Sequence, residues 1–466
     1  MSSTAKLSAR DRIATLLDDN SFVEIGSLVT KRSTDFDMQQ IEAPGDGVVT
    51  GFGLINDRPV YVYAQDASVM SGTVGEMHAK KITSLMDRAM KVGAPVIGII
   101  DSAGMRLTEA TDALEAFGSI YAKQTLCSGV VPQITAVYGN CGGGCAVLAE
   151  LSDFVFMTKE GRLFVNTPDV VDGNYKAKCD TGSACFAAKA GYADFVDEDE
   201  EASLNHIREL ISYLPSNNED EVADTCADDL NREISGIDTA DMVAAVKEIA
   251  DNGLMVEIKA DYDDSVVAAL IKLNGATAGI IANAKPELTT AGCKKAAAFV
   301  KFCDAFSIPV ATLTNVTGYA SSMEEAKTVA VAAAELTAAF ANATVPKVNI
   351  VCDKAFGSAY LAMNSKALGA DYVFALDGTE IGPMAADLAG QIIEADSIDA
   401  AADKAEAKKA AAEAYRKNLL ASENAAKRGY VDEIIDAAAV RKHLIYAFEM
   451  LYTKREDRPV KKHSTI

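Results

Sequence analysis

Three consecutive glycines, Gly142-Gly143-Gly144, are the residues of this sequence whose type and spacing most directly suggest chemistry. They follow a strand-like run at 134–139 and precede a helix-like run at 146–151. A chain that passes from a strand into a helix leaves the first N–H groups of the helix unpaired, and missing Cβ atoms let a ligand oxygen approach them. Such a turn binds phosphate or stabilises an oxyanion such as a thioester enolate. For a single triplet, tight packing of strand against helix is the favoured explanation.

A second turn of the same kind occurs at Gly357-Ser358-Ala359, after the strand-like run 348–353 and before the helix-like run 360–365. The strands that lead into the two turns open with the similar dipeptides Val131-Pro132 and Val345-Pro346. Two glycine turns at equivalent places favour a functional role over a packing role. We therefore predict that both turns contribute backbone N–H groups to a binding site.

The interval between these two dipeptides recurs elsewhere in the chain. Pro95 and Pro309 open similar apolar segments at the same interval, and Asp153 and Asp371 open a later pair at a slightly longer one. A repeat that spans nearly half of the chain indicates duplicated domains, since solenoid repeats are about 20 to 50 residues long. Within each half, β-branched runs alternate with alanine-rich helical runs, a pattern typical of an α/β fold with parallel strands.

The boundary between the halves is predicted from composition. Segment 194–235 is acidic, poor in strand signals and contains Leu214-Pro215-Ser216-Asn217-Asn218. We expect it to be a linker, with a first domain at 1–235 and a second at 236–466.

Composition excludes several classes of function. The 466 residues carry 44 basic and 67 acidic side chains, a net charge of −23, so the basic face that a nucleic-acid partner requires is missing at chain level. There is no secretory h-region at the start and no apolar run that spans a bilayer, so we expect a cytoplasmic protein.

Cysteine and histidine usage argues against disulfides and metals. The nine cysteines are an odd number without a CxxC pair, and the four histidines are scattered. We expect buried free thiols, no metal site, and core packing for Cys141 and Cys145. For His78, a structural role is favoured over a catalytic one. The cysteines are Cys127, Cys141, Cys145, Cys179, Cys185, Cys226, Cys293, Cys303 and Cys352.

Nucleotide-binding motifs do not fit the glycine segment. The sequence contains no GxxxxGK[ST], and GNCGGGC does not match GxGxxG followed by an acidic residue about twenty positions on. A crotonase-type hydratase or isomerase stays open, although it requires a pair of carboxylates near the first turn, where Glu150 is the one candidate. A non-catalytic scaffold, which requires no chemistry, also stays open.

Nearly the whole chain resembles the carboxyltransferase (β-type) subunits of biotin-dependent acyl-CoA carboxylases and of sodium-pumping acyl-CoA decarboxylases. The motifs that carry the resemblance are ARDRI (9–13), SFVE (21–24), GDGVVTG (45–51), GEMHAKKI (75–82), SGVVPQITAVYGNCGGG (128–144), NTPDVV (166–171), ATVPKVNIVCDKAFGSAY (343–360) and AAKRGYVDEII (425–435). The resemblance implies two tandem crotonase (ClpP-like) domains, each a β-β-α superhelix. It also implies a hexamer, with active sites between the first half of one subunit and the second half of another.

The resemblance assigns the two glycine turns to two substrates. Gly143 and Gly144 correspond to the donors for the acyl-CoA thioester oxygen, and Ser358 and Ala359 to the donors for the ureido oxygen of biotin. The internal repeat instead aligns Gly357-Ser358 with Gly143-Gly144, which leaves the second pair uncertain by one residue.

Further substrate contacts are implied around the turns. They are Gly142 and Gly357 beside the donors, Arg106 near the coenzyme A site, Lys80 and Lys81 for coenzyme A phosphates, and Leu361 in the acyl pocket. For the lysines a solvated helix face, and for Leu361 ordinary core packing, are the alternatives.

The implied reaction moves a carboxyl group between biotin and the α-carbon of a short acyl-CoA, such as propionyl/methylmalonyl-CoA, acetyl/malonyl-CoA or glutaconyl-CoA. Biotin is attached to a separate carrier protein, and a biotin carboxylase or a membrane decarboxylase is the further partner. After Tyr319 the chain lacks the longer proline/glycine loop of many carboxylase subunits. This difference slightly favours a decarboxylase over a carboxylase.

Overall fold

We describe the protein from a computed structural model, which covers residues 6–32, 37–173, 180–221, 225–226, 228–462 and 465. Cys179, one of the cysteines predicted to be free and buried, lies outside these residues. The chain divides into two compact units, residues 1–221 and 222–466. Each unit is built around its own mixed β-sheet.

The sheet of the first unit has the strand order β1-β2-β3-β4-β5-β6-β8, with β7 paired to the end of β5. The first three strands are antiparallel, and β3 to β6 and β8 pair in parallel. The strands are β1 (Val23–Ile25), β2 (Val48–Ile55), β3 (Arg58–Gln65), β4 (Val96–Ser102), β5 (Gln133–Gly142), β6 (Phe154–Thr158), β7 (Arg162–Phe164) and β8 (Phe195–Asp197).

Helices cover this sheet because its central strands are buried along nearly their whole length, as parallel strands usually are. Helix α2 ends before Gly93, whose φ of 72° forms a left-handed C-cap. The helices of the first unit are α1 (Ala9–Leu16), α2 (Glu76–Val92), α3 (Thr111–Cys127), α4 (Gly144–Glu150), α5 (Ala184–Ala190) and α6 (Glu200–Tyr213).

The second unit repeats the topology. Its sheet has the order β18-β16-β15-β13-β11-β10-β9, with β17 paired to the end of β15 as β7 is to β5. A small pair, β12 and β14, lies apart from this sheet. The strands are β9 (Met255–Glu257), β10 (Val266–Leu273), β11 (Ala276–Asn283), β12 (Glu287–Leu288), β13 (Val310–Val316), β14 (Gly318–Tyr319), β15 (Lys347–Phe356), β16 (Tyr372–Leu376), β17 (Glu380–Gly382) and β18 (Glu433–Ile435).

The helices of the second unit include an alanine-rich group near its end. A π-helical turn at Arg416–Leu420 follows one of them. The helices are α7 (Met242–Ile249), α8 (Thr290–Ala305), α9 (Val329–Asn342), α10 (Gly357–Ala362), α11 (Ala386–Ile393), α12 (Ala395–Ala400), α13 (Lys404–Tyr415), α14 (Ser422–Lys427) and α15 (Val440–Leu451).

The duplication extends to irregularities in the sheets. The register between β4 and β5 shifts between Ile100 and Ser102, and the register between β13 and β15 shifts between Thr314 and Val316. The interval between these two shifts equals the interval between the repeated segments of the sequence. The predicted duplicated α/β architecture is therefore present in detail.

The predicted linker at 194–235 is structured over its first part, which corrects that prediction. Strand β8 pairs with β6, and α6 buries Leu204, Ile207 and Leu210 in the first unit. Its acidic residues lie mainly in the first turn, where the helix dipole favours negative charge. The units accordingly divide at 221/222 and not at 235/236.

Candidate functional site

The first glycine turn lies where β5 passes into α4. Gly143 has φ 58° and ψ −120°, a conformation that residues with a Cβ rarely adopt, and Gly144 is the first residue of α4. The turn is therefore shaped by one glycine whose backbone geometry only glycine tolerates without strain.

The N–H group of Gly143 is already used inside the protein. It donates to the carbonyl oxygen of Phe164, at the end of β7, with an N···O distance of 2.9 Å. The prediction of Gly143 as an oxyanion donor is corrected accordingly, because an N–H bonded to a carbonyl is not available to a ligand. Gly144 and Cys145, the first two residues of α4, carry N–H groups that have no partner within the helix.

The second turn has the same form. Gly357 has φ 61° and is the first residue of α10, directly after β15. Ser358 is exposed and Ala359 is buried, and both lie in the first helical turn, where N–H groups have no intrahelical partner. Since Gly143 and Gly357 share the positive φ, Gly144 and Cys145 are the structural equivalents of Ser358 and Ala359.

The remaining glycines of the first turn are required by packing. A Cβ on Gly142 would approach the Phe164 ring to 2.7 Å, and one on Gly144 would approach Phe117 and the Tyr121 hydroxyl to 2.9 Å. By contrast, nothing lies within 4 Å of a Cβ on Gly143. Packing thus accounts for Gly142 and Gly144, whereas Gly143 is accounted for by its backbone conformation.

The two cysteines that flank the triplet are buried and protonated. Burial raises the pKa of the Cys145 thiol to about 11 and that of Cys141 well above its usual value. A neutral buried thiol is neither a nucleophile nor a metal ligand. In the part of the chain that the structure describes, no group of three or more His, Cys, Asp or Glu side chains is arranged to hold a metal ion.

The other described cysteines are also free, and most are buried. Two depart from the predicted burial: Cys185 is exposed and Cys226 is partly exposed.

Arg106 has a different role from the predicted contact with coenzyme A. Its side chain is 2% exposed, and it forms ion pairs with Asp46 at 2.6 Å and with Glu109 at 2.8 Å. A third bond, 2.7 Å long, goes to the carbonyl of Thr73. Because the guanidinium is enclosed by these partners, it has no face left for a phosphate.

What Arg106 holds is the start of α2. The carboxylate of Glu109 accepts from the N–H of Glu76 at 2.7 Å, and the carboxylate of Asp46 accepts from the N–H of His78 at 2.7 Å. These two carboxylates cap a helix whose N-cap residue, Gly75, has no side chain to do so. Arg106 neutralises both caps, so it positions α2.

His78 belongs to the same buried network. Its Nδ1 contacts the carbonyl of Asp46 at 2.9 Å, and its Nε2 contacts the side-chain amide of Gln65 at 3.3 Å. Burial, followed by the charge of Arg106, lowers the pKa of His78 to about 3. The imidazole is therefore neutral and structural, as favoured from the sequence.

The two lysines of α2 differ in accessibility. Lys80 is exposed and pairs with Glu76 one helical turn before it, so its ammonium remains at the surface. Lys81 is buried and donates to the carbonyls of Gly45 and Val48. Burial lowers its pKa to about 8. Of the predicted pair, only Lys80 is placed to meet a phosphate without rearrangement, and the prediction is corrected at Lys81.

Leu361 lies on α10, two residues beyond Ala359, with 47% of its surface exposed. The equivalent position on α4 is Val147, which is 40% exposed. An apolar side chain open to solvent next to each turn is available to line a pocket for an aliphatic group. The alternative of a fully packed core residue does not apply to Leu361.

The hydratase or isomerase alternative lacks support in the geometry. Glu150 is exposed at the far end of α4, six residues from Gly144 and so about 9 Å along the helix axis. A carboxylate at that end does not reach a group bound at the first turn.

Two residues near the turns were not singled out from the sequence. The hydroxyl of Tyr121 donates to the carbonyl of Gly144 at 2.7 Å, and that of Tyr319 donates to the carbonyl of Ser358 at 3.2 Å. No sequence motif marks Tyr121. Tyr319 could have been noticed because it follows the duplicated segment that begins at Pro309.

Comparison with known proteins bears directly on this site. A methylmalonyl-CoA decarboxylase α subunit from Propionigenium modestum is 38% identical over 485 residues, which cover 99% of this chain and 93% of that protein. A propionyl-CoA carboxylase β chain from Roseobacter denitrificans is 38% identical over 483 residues, covering 99% of this chain and 94% of its own.

A solved structure is similar over the same length. The transcarboxylase 12S subunit, described as a hexamer with methylmalonyl-coenzyme A and methylmalonic acid bound, superimposes with a TM-score of 0.94 at 35% identity, covering 99% of this chain and 92% of that one. The expected crotonase-like fold is confirmed by this match. No helix of the described ranges is both long and apolar enough to cross a membrane.

Residues 2–466 match the carboxyl transferase domain, and together with the relatives above this shows that the chain belongs to the acyl-CoA carboxyltransferase family.

Proposed function

We propose that the protein transfers a carboxyl group between biotin on a separate carrier protein and the α-carbon of a short acyl-CoA of the propionyl/methylmalonyl type. The observation that carries this proposal is the pair of equivalent turns, each presenting first-turn N–H groups next to a glycine with positive φ. The relatives named above, which include a decarboxylase and a carboxylase subunit, support the same substrates.

In the first unit, the N–H groups of Gly144 and Cys145 bind the thioester oxygen of the acyl-CoA. When the α-carbon carries negative charge, that charge is delocalised onto this oxygen as an enolate, and fixed N–H dipoles stabilise it. Removal of one such donor typically costs about 3 kcal/mol in the barrier. Because the dipoles are part of a strand-to-helix turn, they need no reorganisation during the reaction.

In the second unit, the N–H groups of Ser358 and Ala359 bind the ureido oxygen of biotin. Ser358 is exposed, so this end of α10 is open to the polar ring of biotin, whereas Leu361 on the same short helix presents an apolar surface to the acyl group of the other substrate. Biotin supplies a ureido nitrogen that carries the carboxyl group and releases it as CO2. The protein's own contribution is to bind, align and stabilise charge on two oxygens.

The proposed reaction requires other proteins as partners of this chain. The chain requires a biotin carboxyl carrier protein, and a biotin carboxylase or a membrane decarboxylase subunit sets the net direction. We further infer a homohexamer with active sites that combine the first half of one subunit with the second half of another. In support, α11 exposes Leu388, Ile392 and Ile393, an apolar face of the kind found at contacts between subunits.

The test is to incubate the purified protein with free biotin and either methylmalonyl-CoA or malonyl-CoA, and to follow loss of the carboxyl group by chromatography of the CoA esters. We expect decarboxylation that requires biotin. Absence of turnover with both esters and with glutaconyl-CoA would contradict the proposal and favour a scaffold, whereas hydration of crotonyl-CoA would favour a hydratase.

A further inference from the structure

Both turns share a contact that lies behind the N–H groups. Tyr121 donates its hydroxyl to the carbonyl of Gly144 at 2.7 Å, and Tyr319 donates its hydroxyl to the carbonyl of Ser358 at 3.2 Å. Gly144 and Ser358 are equivalent residues, since each directly follows the glycine with positive φ. The two halves therefore place a tyrosine hydroxyl on the same carbonyl of the turn.

The two tyrosines do not correspond to each other in the duplicated sequence. Tyr121 lies in helix α3, and Tyr319 lies in the short strand β14. In the alignment that superimposes the two glycine turns, Tyr121 corresponds to Glu335. In the same alignment, Tyr319 corresponds to Met105. Because the two tyrosines lie in different elements, common descent of the halves does not explain why both carbonyls accept a hydrogen bond from a tyrosine hydroxyl.

The hydrogen bond from each tyrosine affects the N–H group of the next residue, because that N–H and the accepting carbonyl belong to the same peptide unit. The carbonyl of Gly144 and the N–H of Cys145 belong to one peptide unit, as do the carbonyl of Ser358 and the N–H of Ala359. A hydrogen bond accepted by the carbonyl polarises the unit, which makes its N–H a stronger donor, and it also fixes the plane of the peptide. In a trans peptide the hydroxyl approaches from the side opposite the N–H, so the contact leaves the donor open.

On the basis of the proposed function, we propose that Tyr121 and Tyr319 are positioning residues that orient and polarise the peptide units whose N–H groups stabilise the two substrate oxyanions. Tyr121 acts on the acyl-CoA side, through the N–H of Cys145. Tyr319 acts on the biotin side, through the N–H of Ala359.

The surroundings of Tyr121 and Tyr319 are consistent with phenol groups that stay protonated and act as hydrogen-bond donors. Burial raises the pKa of both tyrosines above its usual value, so the phenols stay protonated at neutral pH. The Tyr121 ring lies against Phe117 with a centroid distance of 5.9 Å. A Cβ on residue 144 would come within 2.9 Å of the Tyr121 hydroxyl, so the glycine there makes room for this contact.

The experiment compares Tyr121→Phe and Tyr319→Phe with Tyr446→Phe in the full chain. Tyr446 is a matched control because its hydroxyl also donates one hydrogen bond, to Asn231 at 3.3 Å, away from both turns. In the biotin-dependent decarboxylation of methylmalonyl-CoA, we expect each of the two test variants to lower kcat about three- to tenfold, with KM for the ester changed less than about twofold. We expect the control to keep the wild-type kcat.

The outcomes separate this inference from the proposed function. A wild-type protein without carboxyl transfer refutes the function, whereas an active wild type whose Tyr121→Phe and Tyr319→Phe variants keep the kcat of Tyr446→Phe refutes only the inference. If a phenylalanine variant unfolds at a lower temperature, 3-fluorotyrosine at the same position retains the ring and is a stronger donor. We expect it to preserve or raise kcat, and a loss equal to that of phenylalanine overturns the proposal.

Discussion

The N–H of Gly143 donates to the carbonyl of Phe164 at 2.9 Å, which ties the turn after β5 to the end of β7. This bond assigns the three glycines to separate tasks. Gly142 leaves room for the Phe164 ring, Gly143 makes the turn, and Gly144 begins the helix, whose first N–H groups have no partner within it. The donors that we propose thus start one residue later in the chain than the family motif suggests.

Gly143→Ala tests the turn. Nothing within 4 Å obstructs the added Cβ, so the cost arises from φ 58°, and strain of this kind is about 1–3 kcal/mol. We expect a lower free energy of unfolding, measured by denaturant titration, together with reduced kcat. Gly118→Ala is the matched control, because Gly118 lies within α3 with equally open space, and alanine there stabilises a helix by about 0.5–1 kcal/mol. Equal effects of the two changes would contradict the strain argument.

Ser358→Pro tests the backbone donor of the second turn. Proline removes one N–H but is tolerated in the first turn of a helix, where that N–H has no helical partner. We expect kcat for biotin-dependent decarboxylation to fall about 10²- to 10³-fold. Ser358→Ala loses the exposed side chain and keeps the N–H, so its kcat should stay near the wild-type value. A proline variant as active as the alanine variant would show that this N–H does not take part.

Arg106→Met tests the buried ion pairs. It leaves the carboxylates of Asp46 and Glu109 buried without their shared cation, which costs about 3–5 kcal/mol of stability. Arg162→Met is the control, since Arg162 pairs with Asp180 at the surface, where such pairs contribute up to about 1 kcal/mol. Denaturant unfolding of both variants gives the comparison, and a loss at Arg106 no larger than at Arg162 would be inconsistent with its positioning role.

His78 makes stability depend on pH. Burial lowers the pKa of the folded imidazole from 6.5 to about 3, so between these values the unfolded chain binds a proton that the folded chain does not. Stability therefore falls as the pH falls through this window, at up to about 1.4 kcal/mol per pH unit from this group. We expect His78→Gln to show a shallower decline between pH 6.5 and 4.5 than the wild type. Parallel curves would indicate that the imidazole is protonated in the folded state.

Leu361→Ala tests the acyl pocket. Because Leu361 is already 47% exposed, we expect little loss of stability but a shift of kcat/KM toward longer acyl chains. One methylene in an apolar pocket changes the ratio of kcat/KM between two substrates by about 10- to 200-fold. Leu388→Ala, at an exposed leucine of α11, is the control and should leave the ratio of butyryl- to propionyl-type esters unchanged. An unchanged ratio in Leu361→Ala would remove this residue from the pocket.

The sequence was sufficient to predict the duplicated α/β fold and both turns, because apolar periodicity and glycine spacing are local signals. It did not predict the bond from Gly143 to Phe164, since β7 is a three-residue strand whose pairing depends on the folded sheet. It was also misleading at α6, where acidic residues on the exposed side concealed the buried leucines and isoleucines.

The sequence could not predict the role of Arg106 for a different reason. Its two partners lie 60 residues before it and 3 residues after it, and only the fold shows that they meet. A sequence motif places an arginine near a site, whereas burial decides whether the side chain faces a ligand or the interior.

Since the charge-stabilising groups that we propose on both turns are main-chain amides, nineteen of the twenty amino acids carry such a group. After the ancestral gene doubled, the flanking side chains were thus able to change while the turns kept their shape: Cys145 in one copy is Ala359 in the other, and Asp101 is Asn315. Selectivity for two unlike molecules could then evolve without rebuilding the chemistry that both copies inherited.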